Sequence, residues 1–364
     1  MRIGWKLLLY NTSMEKECLF SGKKVQIGVD SGYDNYIMAI ESSCDETACA
    51  IVKNGREVVA NVVASQIKTH EKFGGVIPEI AAREHMDAIN IVIDEAFKQS
   101  GLKPEDITAF SGTVGPGLVG CLLVGLNAAK TLALVHDKPF IGVNHLNAHL
   151  CANYLDTDLK PPFMALLISG GHTQIIDVES YSKQTILGET IDDAVGEAYD
   201  KVARLIGLPY PGGPKLDKLA QIGNPNAYEL PISRVDGYNF SFSGLKTAVL
   251  RLVKKLKEEN ENDTLTETQI NDICASFQEC VSKTLAKKLK KALEEKGYKQ
   301  VVIAGGVAAN SEIRRKIFEF EKDGYRVNAP IMKYCTDNAS MVASCAYFNT
   351  NTFDDVDVEV FSRV

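Results

Sequence analysis

No two of the nine cysteines in this chain stand as Cys-x-x-Cys, and their number is odd. That excludes zinc ribbons and the disulfide framework of a small secreted domain, and predicts reduced thiols in a cytoplasm. Long apolar runs are missing too. Leu7-Leu8-Leu9 is too short for the core of a secretory signal, and no stretch reaches the roughly 20 residues that span a bilayer. Positive charge is not in excess: 40 Lys and Arg stand against 47 Asp and Glu, a net charge of −7, which argues against a generic nucleic-acid coat protein but leaves room for a local basic patch. What is present is ordinary globular composition, 45% hydrophobic and 24% charged, over 364 residues, enough for two domains with a core each. The expectation is a cytoplasmic protein with no membrane association.

Histidine is also scarce, six in all, yet two of them stand four apart in Asn144-His-Leu-Asn-Ala-His149. On a helix over 144–153 that spacing puts both imidazoles on one face, within reach of one metal ion. The alternative is an ordinary pair of surface or partly buried histidines. Two imidazoles and a carboxylate form a ligand set that leaves coordination positions open for substrate. Asp337, in Thr336-Asp-Asn-Ala-Ser340, is the best candidate for the carboxylate, its alternative being the N-cap of a C-terminal helix. Asp192, Asp193 and Asp200 are further acids, with a solvated helix face as their alternative role. Donor chemistry alone leaves iron and zinc equally suited.

Glycine turns that let a backbone approach an anion occur at Ser169-Gly-Gly171, Gly212-Gly213 and Gly305-Gly306. One alone is usually just a turn; three point to a nucleotide cleft. Asp45 and Glu46, in Glu41-Ser-Ser-Cys-Asp-Glu-Thr47, add two acids near that cleft, or simply cap their turn.

The pattern of elements repeats. Strands at 36–41, 47–52 and 57–64, the first pair separated by a polar turn and the second by Asn54-Gly55, are matched by strands at 163–168, 174–178 and 185–188. A strand at 107–112 then leads through Gly115-Pro-Gly117 into a helix over 118–135; its counterpart is a strand at 300–304, Gly305-Gly306 and a helix from about 310. A duplicated α/β domain with glycine turns facing one cleft follows, divided near the Asp156–Pro162 segment. The expected division is 1–35 an extension without a readable motif, 36–160 a first lobe, 161–350 a second lobe with a helical insertion, and 351–364 a tail. A helix over 273–296 carries Ile273, Phe277, Val281, Leu285 and Leu289 as a core stripe, with Lys287, Lys288, Lys290 and Lys291 beside it as a solvated face or phosphate contacts.

Glu41-Ser-Ser-Cys-Asp-Glu-Thr47, Phe73-Gly-Gly-Val-Ile-Pro-Glu79, Gly115-Pro-Gly-Leu-Val-Gly120, Ser169-Gly-Gly-His-Thr173, Tyr210-Pro-Gly-Gly-Pro214, Phe240-Ser-Phe-Ser-Gly244 and Gly305-Gly-Val-Ala-Ala-Asn310, in this order between about Ile37 and Ala346, resemble the tRNA adenosine threonylcarbamoyltransferase family. The resemblance implies the actin-like and sugar-kinase-like ATPase (ASKHA) fold, two ribonuclease-H-like lobes around a nucleotide cleft. It implies metal ligation by His145, His149 and Asp337, with Fe2+ favoured over Zn2+. Substrate binding by Leu167, Ile168, Ser169, Gly170, Gly171, Asp200, Gly213, Asp217 and Asn310 is implied as well, together with transfer of threonylcarbamoyl from threonylcarbamoyl-AMP to N6 of adenosine 37 in tRNAs reading codons that begin with A. An exocyclic adenine amine is a weak nucleophile, so the chemistry calls for close positioning and charge stabilisation on the departing AMP, with Asp45 or Glu46 to take the proton. Bacterial members work with an inactive paralogue (TsaB-like), a small ATPase (TsaE-like) and a separate synthase.

This chain departs from the family in the 35 residues before the first strand and in Asn147, where bacterial members often have Glu; with no kinase domain following, it resembles the unfused form. Competing expectations are a small-molecule kinase of the same fold, a non-catalytic scaffold, and a metallopeptidase, although Leu146 stands where a zincin helix needs its general-base Glu.

Overall fold

The computed structural model describes residues 13–232, 235–348, 352, 353 and 356–362; the Leu7-Leu8-Leu9 run lies outside them. A hairpin, β1 (Ser13–Glu17) and β2 (Lys24–Gly28), precedes β3 (Tyr36–Glu41), β4 (Glu46–Lys53), β5 (Glu57–Ser65), α1 (Ile67–Glu71), α2 (Pro78–Ser100), β6 (Ala109–Gly115), α3 (Val119–Val135), β7 (Phe140–Asn144) and α4 (His145–Cys151). The chain continues through β8 (Phe163–Ile168), β9 (Thr173–Val178), β10 (Gln184–Glu189), α5 (Val195–Leu205), α6 (Gly212–Ala220), α7 (Ser243–Glu259), α8 (Glu267–Lys296), β11 (Gln300–Ala304), α9 (Ser311–Phe318), β12 (Arg326–Asn328) and α10 (Ala339–Phe348).

The strands form two five-stranded sheets, in the orders β5-β4-β3-β6-β7 and β10-β9-β8-β11-β12. In each, the first three strands run antiparallel and the last two join parallel. The two halves thus repeat strand for strand, and the duplication expected from the pattern of apolar runs is the architecture the chain adopts.

Period-two alternation explains the layering. Ile37 and Ala39 of β3 and Phe163, Ala165 and Leu167 of β8 point into one shared core with α4 and α10, which therefore lie between the sheets. Met38 and Ile40 point the other way, into a core closed by α2 and α3. Met164, Leu166 and Ile168 pack under α5–α9. Strands buried on both faces read as unbroken apolar runs, which is how β3 and β8 look in the sequence.

Two segments depart from expectation. The long helix α8 begins at Glu267, one and a half turns before Ile273, because Thr266 and Gln269 form a reciprocal capping box; it ends at Gly297, whose φ of 71° suits the αL cap. The N-terminal segment carries no motif, yet its described part is a docked hairpin. Ile27 is fully buried, Met14 and Val25 pack beside it, and the Asn35 side chain accepts from Gly28 N (3.1 Å) and donates to Gln26 O (3.2 Å). The hairpin turn is tied to the first lobe through Asp137 Oδ1, which accepts from Phe20 N at 2.7 Å. No helix among the described residues is long and apolar enough to cross a membrane.

Candidate metal centre

Strand β7 ends at Asn144, whose side chain accepts from the amides of Leu146 (2.9 Å) and Asn147 (3.3 Å) and so starts α4 at His145. His149 follows one turn later on the same face. Opposite them stands the segment before α10. There the capping role that Asp337 could have taken falls to Asn338, whose Oδ1 accepts from Met341 N at 3.2 Å. Asp337 is left to face the histidines.

The Nε2 atoms of His145 and His149 lie 3.6 and 3.2 Å from Asp337 Oδ1. One ligand atom from each residue fits within a 4.8 Å set, and the two rings stand nearly perpendicular, 77° apart. Two imidazole nitrogens and a carboxylate oxygen brought this close match the donor chemistry that would hold a divalent transition metal. His149 Nδ1 is buried without a hydrogen-bond partner, so the polar contact of this ring is made at Nε2, with Asp337. Charge agrees. Burial pulls the His145 imidazole down, but the Glu41 and Asp337 carboxylates outweigh it and hold it at about 9. Burial works against the Asp337 charge, yet the two imidazoles keep its carboxyl below the usual range. The pocket attracts positive charge, and a divalent cation can replace the proton.

The Glu41–Thr47 loop reaches this centre from the end of β3. Gly117 lets it pack: a Cβ there would sit 2.6 Å from Ser43 O, which accepts from Leu118 N at 2.8 Å. Buried His85 holds the loop from below, with Nε2 3.0 Å from Cys44 O and Nδ1 2.7 Å from Thr47 Oγ1. A carbonyl only accepts, so Nε2 carries the proton and Nδ1 accepts from the hydroxyl. Asp45 and Glu46 lie partly buried on this loop. Burial, then the charges of Asp337 and Asp45, pushes Glu46 up to about 10.

From the second lobe, Leu167 and Ile168 are fully buried and offer only backbone. The turn after them is closed by Ser169 N donating to His172 O (2.9 Å) and His172 N donating to Ser169 Oγ (3.1 Å), while Gly170 and Gly171 are exposed, with open space where a Cβ would stand. The His172 imidazole is pulled down by burial and then by the charges of His145 and His149, so this turn lies within electrostatic reach of the two histidines. Gly305 serves packing instead. With φ at 88°, a Cβ there would lie 2.4 Å from Ile168 O, and its absence lets the ends of β8 and β11 close together.

Asp200 is not a solvated helix face. Its Oδ1 accepts from Gly212 N (3.0 Å) and Gly213 N (3.1 Å), capping α6. Asp192 likewise caps α7, and Asp193 pairs with Lys201 at 2.7 Å. Asp217 accepts from Ser311 Oγ (2.7 Å) and Gln278 Nε2 (2.9 Å), and Asn310 caps α9 while donating to Gln278 Oε1 (2.8 Å). Asp217 and Asn310 thus form one network with Gln278 and Ser311, which sequence reasoning missed along with Glu41 and His172. A buried polar residue on an otherwise apolar helix stripe was the available signal for Gln278. Of the lysines on α8, Lys288 donates to Val235 O, Lys290 pairs with Asp323 and Lys291 lies near Glu295, the pattern of a solvated face.

Residues 57–344 match the family model described as tRNA N6-adenosine threonylcarbamoyltransferase. The chain is 49% identical over 320 residues to the protein of that name in Clostridioides difficile (strain 630), covering 87% of this chain and 93% of the relative. It is 52% identical over 316 residues to that of Clostridium perfringens (strain SM101 / Type A), covering 86% and 92%. Among solved structures, HypF from T. kodakarensis superposes with a TM-score of 0.57 at 15% identity, over 93% of this chain and 51% of that one, a likeness of fold alone.

Proposed function

The chain belongs to the tRNA N6-adenosine threonylcarbamoyltransferase family, and from that premise we propose that it moves a threonylcarbamoyl group from threonylcarbamoyl-AMP to N6 of adenosine 37 in tRNAs reading codons that begin with A. The observation that carries the reading at the level of chemistry is the convergence of His145, His149 and Asp337, with the open Ser169–Gly171 turn within electrostatic reach of them through His172. An acyl adenylate presents a phosphate and a carbonyl close together, and this arrangement sets a cation site next to a backbone able to receive anionic oxygens.

A divalent ion held by the triad, Fe2+ by family resemblance and Zn2+ by an equally suitable donor set, would supply Lewis-acid stabilisation of a phosphate or carbonyl oxygen. The chain's own residues do the rest. Unhindered amides at Gly170 and Gly171 orient the adenylate, and Asp200, with one oxygen engaged by Gly212 and Gly213, leaves the other for a hydroxyl of the nucleotide. Asp217 and Asn310 brace that side of the cleft through Gln278. Asp45 accepts the proton released as the adenine amine forms its bond to the carbonyl carbon and AMP departs, since the Glu46 carboxyl, pushed up to about 10, already holds its own proton. A tRNA substrate, an inactive paralogous subunit and a small ATPase complete the working assembly. The peptidase alternative fares poorly because Leu146, beside the first histidine, is buried and apolar.

The test is nucleoside mass spectrometry of tRNA from cells depleted of the protein and complemented with wild type or His145→Ala. Threonylcarbamoyl-adenosine restored by wild type alone supports both the transfer and the metal. Modification that persists without the protein overturns the transfer; restoration by His145→Ala overturns the metal's part in it.

A further inference from the structure

Glu41 is the last residue of β3, with a side chain wholly inaccessible to solvent. A buried carboxylate persists only where hydrogen bonds and a cationic partner satisfy it. Its Oε1 accepts from Ser43 N at 2.6 Å, and its Oε2 accepts from Thr113 Oγ1 at 2.6 Å. The remaining contact is His145 Nδ1, 3.1 Å from Oε2, the only ion-pair partner it has among the described residues. The Ser43 hydroxyl lies 3.2 Å from the same nitrogen.

This contact decides what His145 offers. A carboxylate at Nδ1 keeps a proton on that nitrogen and leaves the Nε2 lone pair free, and Nε2 is the atom facing Asp337. Imidazole held in this way is locked in tautomer and ring orientation, and it is the better donor for the negative charge behind it. The second histidine has no such support, since His149 Nδ1 is buried without a partner. The two imidazoles are therefore unequal. We propose that Glu41 is a positioning residue that orients and strengthens His145 as the dominant imidazole ligand of the metal centre, with Thr113 fixing the carboxylate. This rests on the metal reading given above. It also accounts for a charged acceptor at the end of an apolar strand, where a neutral one would serve Ser43 N and Thr113 Oγ1 equally well.

Purified protein stripped with chelator and titrated with Co2+ tests this, affinity being read by competition with a chromophoric chelator and by the visible absorption of the bound ion. Glu41→Gln preserves shape and removes the charge. The expected result is 10- to 100-fold weaker Co2+ binding with a shifted absorption band, while the metal-free protein melts as wild type does. Glu41→Gln binding within twofold of wild type overturns the proposal. Should Glu41→Gln fail to fold, Thr113→Val, which leaves the carboxylate in place but loosens it, takes over: a loss of about 3- to 10-fold supports the proposal and an unchanged affinity overturns it. Wild-type protein that binds no Co2+ defeats the metal reading itself, an outcome distinct from either.

Discussion

Arg56 offers a direct test of how the two lobes are joined. It sits in the turn between β4 and β5, and its guanidinium holds the end of the first lobe, the segment that leads into β8, while also touching Tyr181 and Phe348 of the second. Nη1 donates to Tyr154 O (3.1 Å) and Thr157 O (2.7 Å), and Nη2 to Leu159 O (2.8 Å) and Tyr181 Oη (3.3 Å). The same group lies 4.9 Å from the centre of the Phe348 ring in α10. Arg56→Ala leaves the carbonyls of Tyr154 and Leu159, both buried residues, without this donor. Taking about 1.5 kcal/mol for each such loss, from the lower half of the usual range, little for the more exposed Thr157 bond and about 0.5–1 kcal/mol for the cation–π contact, the variant should lose about 4 kcal/mol. With an unfolding entropy of about 2.1 cal/mol/K per residue, a chain of this length unfolding as one unit should melt about 5 °C lower. Arg56→Lys keeps the charge but not the fork, cannot reach four acceptors, and should recover less than half of the loss. Differential scanning calorimetry of the three proteins is the assay. A melting temperature for Arg56→Ala within 1 °C of wild type would refute the view that this residue anchors the segment joining the lobes.

Other outcomes follow from the site. Asp337→Ala should abolish stoichiometric metal by elemental analysis and transfer with it, whereas Asn338→Ala should keep the metal and lose about 1 kcal/mol of stability as the α10 cap is removed. Gly305→Ala, facing Ile168 O at 2.4 Å with φ at 88°, should cost more than about 2 kcal/mol in urea unfolding. Gly170→Ala meets no neighbour within 4 Å, so it should leave stability nearly unchanged while raising KM for the adenylate, the signature of a turn that touches substrate. The Asp192 carboxyl is held below its usual range: burial opposes this, but bonds from Ser241, Ser243 and the amides at the start of α7 outweigh it. A depressed folded value means that its contribution is present above about pH 4 and is lost as pH falls through the folded value. Asp192→Asn should therefore flatten the acid limb of a stability–pH curve.

Much of the fold was legible because burial on both faces imposes an apolar run. Tyr36–Glu41, Phe163–Ile168 and Gln300–Ala304 occur where the runs predicted them, and their repeated order announced the duplication. The start of α8 was misplaced because its first turn is polar, although Thr266 and Gln269 spell out the cap that begins it. The β1–β2 hairpin escaped notice because Glu15, Lys16, Glu17 and Lys24 dilute the alternation of Met14, Val25 and Ile27.

The order of motifs by itself determined the family, and the His145–His149 spacing determined that one helical turn could present both imidazoles to one point. Whether Asp337 capped a helix or faced the histidines was decided only by tertiary structure, because Asn338, one residue on, can cap the same helix end, as it does through Met341 N, and either assignment is locally acceptable. The likeness between Asp45 or Glu46 on the loop and Glu41 at the strand end likewise disappears only in three dimensions. One acid is sealed against Nδ1 of His145 and the others stay partly exposed on the loop, since strands distant in sequence must pair before it is settled which ring nitrogen lies beside a side chain.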